Sequence, residues 1–154
     1  FADPRIGVYG ASAQGTSFST MRNRGSGGLR ELPFVEGFCF AARMSVLRAV
    51  APVDTALNTL GWGIDIHLAF AARVAGLRCV VDDAVQVTHD MGSGYSQEEA
   101  LAQMKAWFAA QPAAVQLGQR LIFRSWAQTR LGTLYLQVFP WARWYARQMQ
   151  QVAP

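Results

Sequence analysis

Residues 61–81, GWGIDIHLAFAARVAGLRCVV, contain the pattern from which the fold class follows. Two glycines at the start let the backbone turn tightly. Small and apolar side chains then recur at helical spacing, at Leu68, Ala71, Ala72 and Ala75. The spacing predicts a helix over Ile64 to Ala75 that ends at Gly76, and Arg78 to Val81 predicts a strand directly after it. A helix leading into a buried strand favours an α/β or α+β fold.

The segments before residue 61 fit the same alternation. Ile6 to Tyr9 predicts a buried strand ended by Gly10, and the Gly- and Ser-rich residues 10–28 predict a long, mobile loop. Phe34 to Ala42 predicts another strand, in which Gly37 indicates close approach of a second backbone or a ligand. Arg43 to Val50 predicts a short helix that stops before Pro52, and residues 54–63 predict a loop.

The segments after residue 81 add one strand and two helices. Ala84 to Val87 predicts a strand that either joins the preceding one or is separated from it at Asp82-Asp83. Ser96 and Glu99 form a capping box that predicts a helix start, and the apolar face that follows consists of Leu101, Met104, Trp107 and Phe108. Residues 112–139 predict a further helix with a polar stripe at Gln116, Arg120, Arg124 and Gln128, before Pro140 and a short segment over 141–149.

Composition and length bound the class of protein. The chain has 154 residues, 51% of them apolar and 16% charged, so one domain can bury a core. The sequence contains no run of about 18 apolar residues, so it predicts no membrane-spanning helix. The start lacks a signal peptide and an initiator Met, which indicates a chain that begins within a longer protein. Cys39 and Cys79 lie in apolar runs and are expected to be buried free thiols, with a disulfide as the alternative.

Charge divides the chain into two parts. All ten acidic residues lie at or before Glu99, where eight Arg accompany them, whereas residues 100–154 carry six basic residues and no acidic one. The net charge of +4 therefore belongs to the C-terminal part, and so does any argument for an anionic partner. We predict a domain over 1–110 and a basic, aromatic helical tail over 111–154.

Asp65 is the first candidate for chemistry. It lies in the first turn of the predicted helix, where the helix dipole favours the ionised carboxylate. An ionised carboxylate can act as a general base. The alternative is an ordinary helix-stabilising Asp, and the local sequence taken alone favours that alternative.

Several other polar residues also have both a chemical and a structural interpretation. His89 ends a strand and offers an imidazole to a metal ion, although one His alone does not make a metal site. Asp82-Asp83 has the form of a metal-binding acidic pair, against a tight turn between strands as the favoured alternative. Glu36 is expected either to pair with an Arg or to face a site. His67 is interpreted as structural or exposed.

Together these segments resemble the family-2 glycosyltransferases of the GT-A fold, over roughly residues 1–108. A Gly-x-Asp or Glu-Asp sequence opening a helix supplies the catalytic base in that family; here Asp65 holds the position, with Ile64 where many members have Glu. The resemblance extends to the helix ending and strand at residues 73–78, to Val87-Thr88-His89, to the loop at residues 92–95 and to the opening residues 3–8, which resemble the stretch after the donor's metal-binding Asp-x-Asp.

The resemblance implies an α/β fold, a partial GT-A-like mixed sheet with flanking helices and a C-terminal helical tail. It implies inverting, metal-dependent transfer from a nucleotide-sugar donor to a hydroxyl of a saccharide or lipid-linked acceptor, for example in cell-envelope polysaccharide synthesis. Asp65 would be the base, and His89 would contact Mg²⁺ or Mn²⁺ or the donor diphosphate. Substrate-binding positions would be Glu36, Gly37, Trp62, Gly63 and Tyr95. The donor-binding half would lie outside these residues, so the fragment is expected to be incomplete.

Two other classes of function stay open at this stage. The basic tail combines Arg with Trp and Tyr, which suits either an anionic membrane surface or a helix packed on the domain. The chain could thus be a non-catalytic, membrane-peripheral or partner-binding module derived from a transferase. A metal-dependent hydrolase would need Asp82, Asp83 and His89 to converge on one ion. Nucleic acid is not expected as a partner because no recognition motif is present, and the expected location is cytoplasmic, at most peripheral on the inner face of the membrane.

Overall fold

A four-stranded mixed sheet and four α-helices make up the described part of the computed structural model, residues 2–14, 16, 19–89 and 94–128. The strands are β1 Ile6–Gln14, β2 Leu29–Leu32, β3 Phe40–Ala42 and β4 Arg78–Thr88. The helices are α1 Met44–Val50, α2 Ile64–Val74, α3 Gln97–Ala109 and α4 Ala113–Ala127, and a 3₁₀ turn spans Ser19–Met21. The predicted α/β class is confirmed at this level.

The centre of the sheet is a parallel pair. The strand order is β2-β4-β1-β3, in which β1 and β4 are parallel and the two outer strands are antiparallel to their neighbours. Only residues 75–77 separate α2 from β4, and α2 packs on both central strands. The helix therefore runs back along the strands, and its first turn lies at the edge where β1 and β4 end. We call this edge the carboxyl edge.

β4 is one continuous strand with an irregularity in the middle. Ala11 of β1 lies opposite Asp82, but the next residue, Ser12, lies opposite Gln86. The residues of β4 in between are extra relative to β1, as in a β-bulge. The two predicted strands over 78–81 and 84–87 are therefore joined, and the interpretation of Asp82-Asp83 as a tight turn is wrong.

β1 is five residues longer than predicted, because Gly10 does not end it. A Cβ at position 10 would lie 2.3 Å from Cγ1 of Val35, so glycine here permits a close crossing over the loop before β3. The small residues that follow are buried between neighbouring strands rather than exposed in a loop. The predicted loop over 10–28 thus begins too early.

The strand predicted around Phe34 is, by contrast, shorter in the structure than in the prediction. Only Phe40–Ala42 of the predicted strand over 34–42 pairs as a strand, while Phe34 and Val35 are buried without strand pairing. Leu29–Leu32 is a strand that the sequence did not predict, and it pairs with β4 at the sheet margin. Phe34 is thus buried without strand pairing, whereas Phe40 pairs in β3 with its side chain 39% exposed.

The predicted helices are confirmed where they are described. α2 ends as expected, with Gly76 in the left-handed region at φ +70°. Ser96 caps α3 by accepting a hydrogen bond from the Glu99 N–H at 3.3 Å. α4 ends at Ala127. The part of the predicted helix beyond residue 128 lies outside the described residues, as does the rest of the tail.

Helix packing over α2 builds most of the core. α1 and α4 pack on α2, and Trp107 of α3 lies against His67 with ring centroids 5.3 Å apart. His67 is buried, so its structural interpretation is supported. α4 approaches α2 closely at Gly118, where a Cβ would lie 2.0 Å from the Phe70 ring.

The cysteines and helix lengths bear on two further expectations. Both cysteines are free thiols; Cys79 is buried as predicted, whereas Cys39 is exposed in the turn before β3, so that part of the prediction is wrong. Among the helices in the described residues, none has the length and apolar character needed to cross a membrane.

Candidate functional site

The loop Glu36-Gly37-Phe38 links three elements at the carboxyl edge. Thr16, just beyond β1, donates its hydroxyl to the Glu36 carboxylate. A Cβ on Gly37 would lie 3.8 Å from Cβ and Oδ2 of Asp65, at the start of α2. The Phe38 ring stacks on His89, just beyond β4, with centroids 4.7 Å apart and an interplanar angle of 29°. Three consecutive residues span about 10 Å at most, so these groups lie in one neighbourhood.

Backbone amides surround the carboxylate of Asp65. The Ile66 N–H donates to Oδ1 at 2.8 Å, and the backbone amides of Gly37 and of Asp65 itself also lower the pKa of the carboxyl. Each of these bonds favours the charged form. The residue as a whole keeps part of its surface exposed, which a group that must meet a substrate requires.

Burial nevertheless dominates the acidity of this carboxyl. Loss of solvation raises the pKa of Asp65 from 3.8 to about 6, and the hydrogen bonds from Ile66 and Gly37 lower it only in part. Burial thus opposes the effect expected from the helix start, and the carboxyl still titrates below neutral pH. A carboxyl with a pKa near 6 is mostly ionised at pH 7 and is a stronger base than an ordinary Asp.

His89 occupies its predicted place at the end of a strand. Its backbone N–H donates to the Gln14 carbonyl at 3.1 Å, which holds the residue beside the end of β1. The side chain is partly exposed beside Phe38. The ring lies at the carboxyl edge, and its role as a metal or diphosphate ligand stays a prediction.

Trp62 and Tyr95 form a polar aromatic pair near Asp65. The indole Nε1–H donates to the Tyr95 hydroxyl at 2.9 Å, and the rings meet edge to face at 6.4 Å and 77°. Tyr95 is 41% exposed. Asn58 is buried below the loop and donates to the Trp62 carbonyl at 2.9 Å. This pair presents aromatic surface three residues before Asp65, where a substrate-binding role stays a prediction.

Gly63 has a packing reason of its own. It adopts φ +83°, and a Cβ would come within 2.8 Å of the Phe108 ring and 2.9 Å of Met104. Only glycine satisfies both constraints. The residue sets the entry to α2 against α3, and its predicted binding role remains open beside this structural one.

Both carboxylates of the acidic pair Asp82-Asp83 in β4 bind other side chains of the fold. Asp83 is fully buried and accepts from Nε and Nη2 of Arg30, each at 2.9 Å, and from Ser26 at 2.8 Å. The Arg30 guanidinium holds the pKa of Asp83 down at about 2. Asp82 accepts from the Tyr9 hydroxyl at 2.7 Å and raises the pKa of that phenol to about 12.

The described residues do not make a complete metal site. No group of three His, Cys, Asp or Glu side chains that could hold an ion occurs within them. The hydrolase interpretation, which needs Asp82, Asp83 and His89 on one ion, loses its support because Asp83 is ion-paired to Arg30. His89 would be one ligand at most, and the other ligands for Mg²⁺ or Mn²⁺ would come from elsewhere.

Three residues at the site were not predicted from the sequence. Thr16 lies in a Gly- and Ser-rich segment, which gives no sign that its hydroxyl meets Glu36. Phe38 follows Gly37 directly, and its aromatic character next to a flexible residue was the available signal. Asn58 could have been inferred from Asn in a loop just before a glycine pair, since Asn often holds a turn through its side chain.

Comparison of the chain with known proteins finds no matching family model, no matching curated protein and no matching solved structure.

Proposed function

We propose that this chain is the acceptor-side part of an inverting, GT-A-like glycosyltransferase, with Asp65 as its catalytic base. The observation that carries the proposal is the convergence at the carboxyl edge, where Gly37 faces Asp65 and Phe38 stacks on His89. Open α/β sheets bind ligands beyond the carboxyl ends of their parallel strands. The resemblance to family-2 glycosyltransferases gives this location its chemistry.

In the proposed reaction, Asp65 takes the proton from an acceptor hydroxyl. The oxygen attacks the anomeric carbon of the donor sugar, and the nucleoside diphosphate leaves with the electron pair of the broken bond. Attack from the face opposite the leaving group inverts the anomeric configuration. The pKa of about 6 supports this role, because the group is ionised at pH 7 and still basic enough to hold the proton.

The remaining side chains support acceptor binding rather than chemistry. Trp62 and Tyr95 would stack on and hydrogen-bond a sugar ring, and Glu36, held by Thr16, would accept from a hydroxyl. A divalent cation would neutralise the leaving diphosphate, with His89 as the ligand that we assign to it among the described residues. Under this proposal the chain works in the cytoplasm, at the inner face of the membrane if the acceptor is lipid-linked.

The experiment compares wild type with Asp65→Asn in a transfer assay. It uses the longest form of the protein that carries a donor-binding segment upstream, with a panel of UDP-, GDP- and dTDP-sugars and Mn²⁺. Turnover with one donor is expected to fall by about 10²- to 10⁴-fold in Asp65→Asn while donor binding stays unchanged. Glu98→Gln, an exposed carboxylate in the first turn of α3, is the matched control.

Two results would contradict the proposal. Equal turnover by wild type and Asp65→Asn would remove Asp65 as the base. Absence of donor binding and turnover across the whole panel would favour the alternative, a non-catalytic module derived from a transferase.

A further inference from the structure

The outer face of α4 exposes two leucines beside basic residues. Leu117 is 55% exposed and Leu121, one turn later, is 53% exposed. Ala113 precedes them on the same side, and Arg124 follows. We call these four residues the α4 outer stripe. A pair of half-exposed leucines on one helix face is a candidate interaction surface rather than scattered apolar exposure.

Packing on the opposite face prevents α4 from rolling to bury the stripe. That face buries Gly118, Gln119, Ile122, Phe123 and Trp126. Gly118 is so close to Phe70 of α2 that no side chain fits between them. Gln119 is buried without a hydrogen-bond partner for its side-chain atoms in the described structure. The helix is thus fixed with the leucines outward.

The charge around the stripe selects the partner. Arg120 and Arg124 lie on or beside it, and residues 100–154 contain six basic residues and no acidic one. A second copy of the stripe would gather four arginines and no acidic residue of α4 into one two-fold interface.

We infer that the α4 outer stripe docks on an anionic lipid surface, with Leu117 and Leu121 inserted among the headgroups and the arginines on lipid phosphates. Such a surface satisfies apolar and cationic groups together. The sequence of residues 129–154 continues the same composition, with Arg130, Arg143 and Arg147 among Trp and Tyr residues. This inference does not depend on the proposed transferase activity.

Vesicle co-sedimentation of the 154-residue chain tests it. We compare two kinds of vesicle. One contains phosphatidylcholine with roughly 30% phosphatidylglycerol and represents an anionic leaflet; the other is pure phosphatidylcholine. We expect binding to the anionic vesicles only. The double variant Leu117→Gln/Leu121→Gln should bind about tenfold more weakly, and Arg124→Gln about fivefold more weakly.

A matched control separates the stripe from general surface polarity. Val74 is 73% exposed at the end of α2, and Val74→Gln should bind as wild type does. Absence of anionic binding would overturn the inference, as would equal binding to neutral vesicles or binding unchanged in the double variant. If wild type is instead a dimer in sedimentation velocity and the double leucine variant is a monomer, the stripe is an interface between copies of this chain.

Discussion

Asp65 shows how two local effects compete at a single residue. Its place in the first turn of a helix and its amide donors favour the charged form, as the sequence indicates. Burial opposes them and prevails, so the pKa rises to about 6. Carboxyl groups with pKa values raised by burial occur at functional sites, and the shift is consistent with the base role that we propose for Asp65.

Stability against pH should report the burial of Asp65. Because its folded pKa lies above the unfolded value of 3.8, the folded state binds the proton more tightly. The associated stability is present below pH 4 and is lost as the pH rises through about 6. Asp65→Asn should therefore be more stable than wild type by about 3 kcal/mol at pH 8, with only a small difference near pH 4. Thermal unfolding at both pH values measures this; a variant less stable at pH 8 would contradict it.

The Arg30–Asp83 pair should behave in the opposite way. The folded pKa of Asp83 is depressed to about 2, so the pair contributes stability above pH 4 that is lost as the pH falls towards 2. Arg30→Ala leaves a fully buried carboxylate unpaired and should reduce the free energy of unfolding by about 3 kcal/mol. Arg5→Ala, at an exposed ion pair, is the control and should leave urea unfolding unchanged. A small effect of Arg30→Ala would mean that solvent reaches Asp83.

At the scale of elements, periodicity predicted the helices well and the strands less well. α2 and the start of α3 follow from apolar spacing and from Gly76 and Ser96, all of which act within one or two turns. β1 and β4 depend on residues far apart in sequence. Gly10 locally predicts a strand end, but it pairs with Phe40 and Val81 on the two neighbouring strands and so continues β1.

The close approach of α4 to α2 gives an element-scale prediction. In Gly118→Ala the new Cβ would overlap the Phe70 ring, which must shift along with α4. We expect a loss of about 1–2 kcal/mol in urea unfolding. Phe70→Leu in the same chain should restore part of it by vacating the space. If Gly118→Ala is neutral, the two helices are not in this contact.

At the scale of the whole molecule, the site depends on topology that local sequence does not contain. Asp65 and His89 were found from sequence because each lies at the end of its element. Gly37 was also predicted, whereas Thr16 and Phe38 were not, since they join this edge only when β1 and β4 pair in parallel. The carboxyl edge is a property of the sheet, and the loop at residues 36–38 joins its parts.

Access to Asp65 should depend on the absence of a side chain at position 37. Gly37 is exposed, and its backbone is not in the left-handed region, so other residues fit there. Gly37→Leu should keep the unfolding midpoint but reduce transfer about tenfold or more by crowding the carboxylate. Gly28→Leu, where no atom lies within 4 Å of the added Cβ, is the matched control. Equal activity of both variants would show that acceptors do not approach past Gly37.

The most direct test of the central claim is the rate of sugar transfer measured from pH 5 to pH 8 with wild type and Asp65→Asn side by side. We predict a wild-type rate that rises with an apparent pKa near 6 and a variant rate that is lower by at least about 10²-fold and lacks this rise. A variant that retains the wild-type rate and the same rise would contradict the assignment of Asp65 as the base.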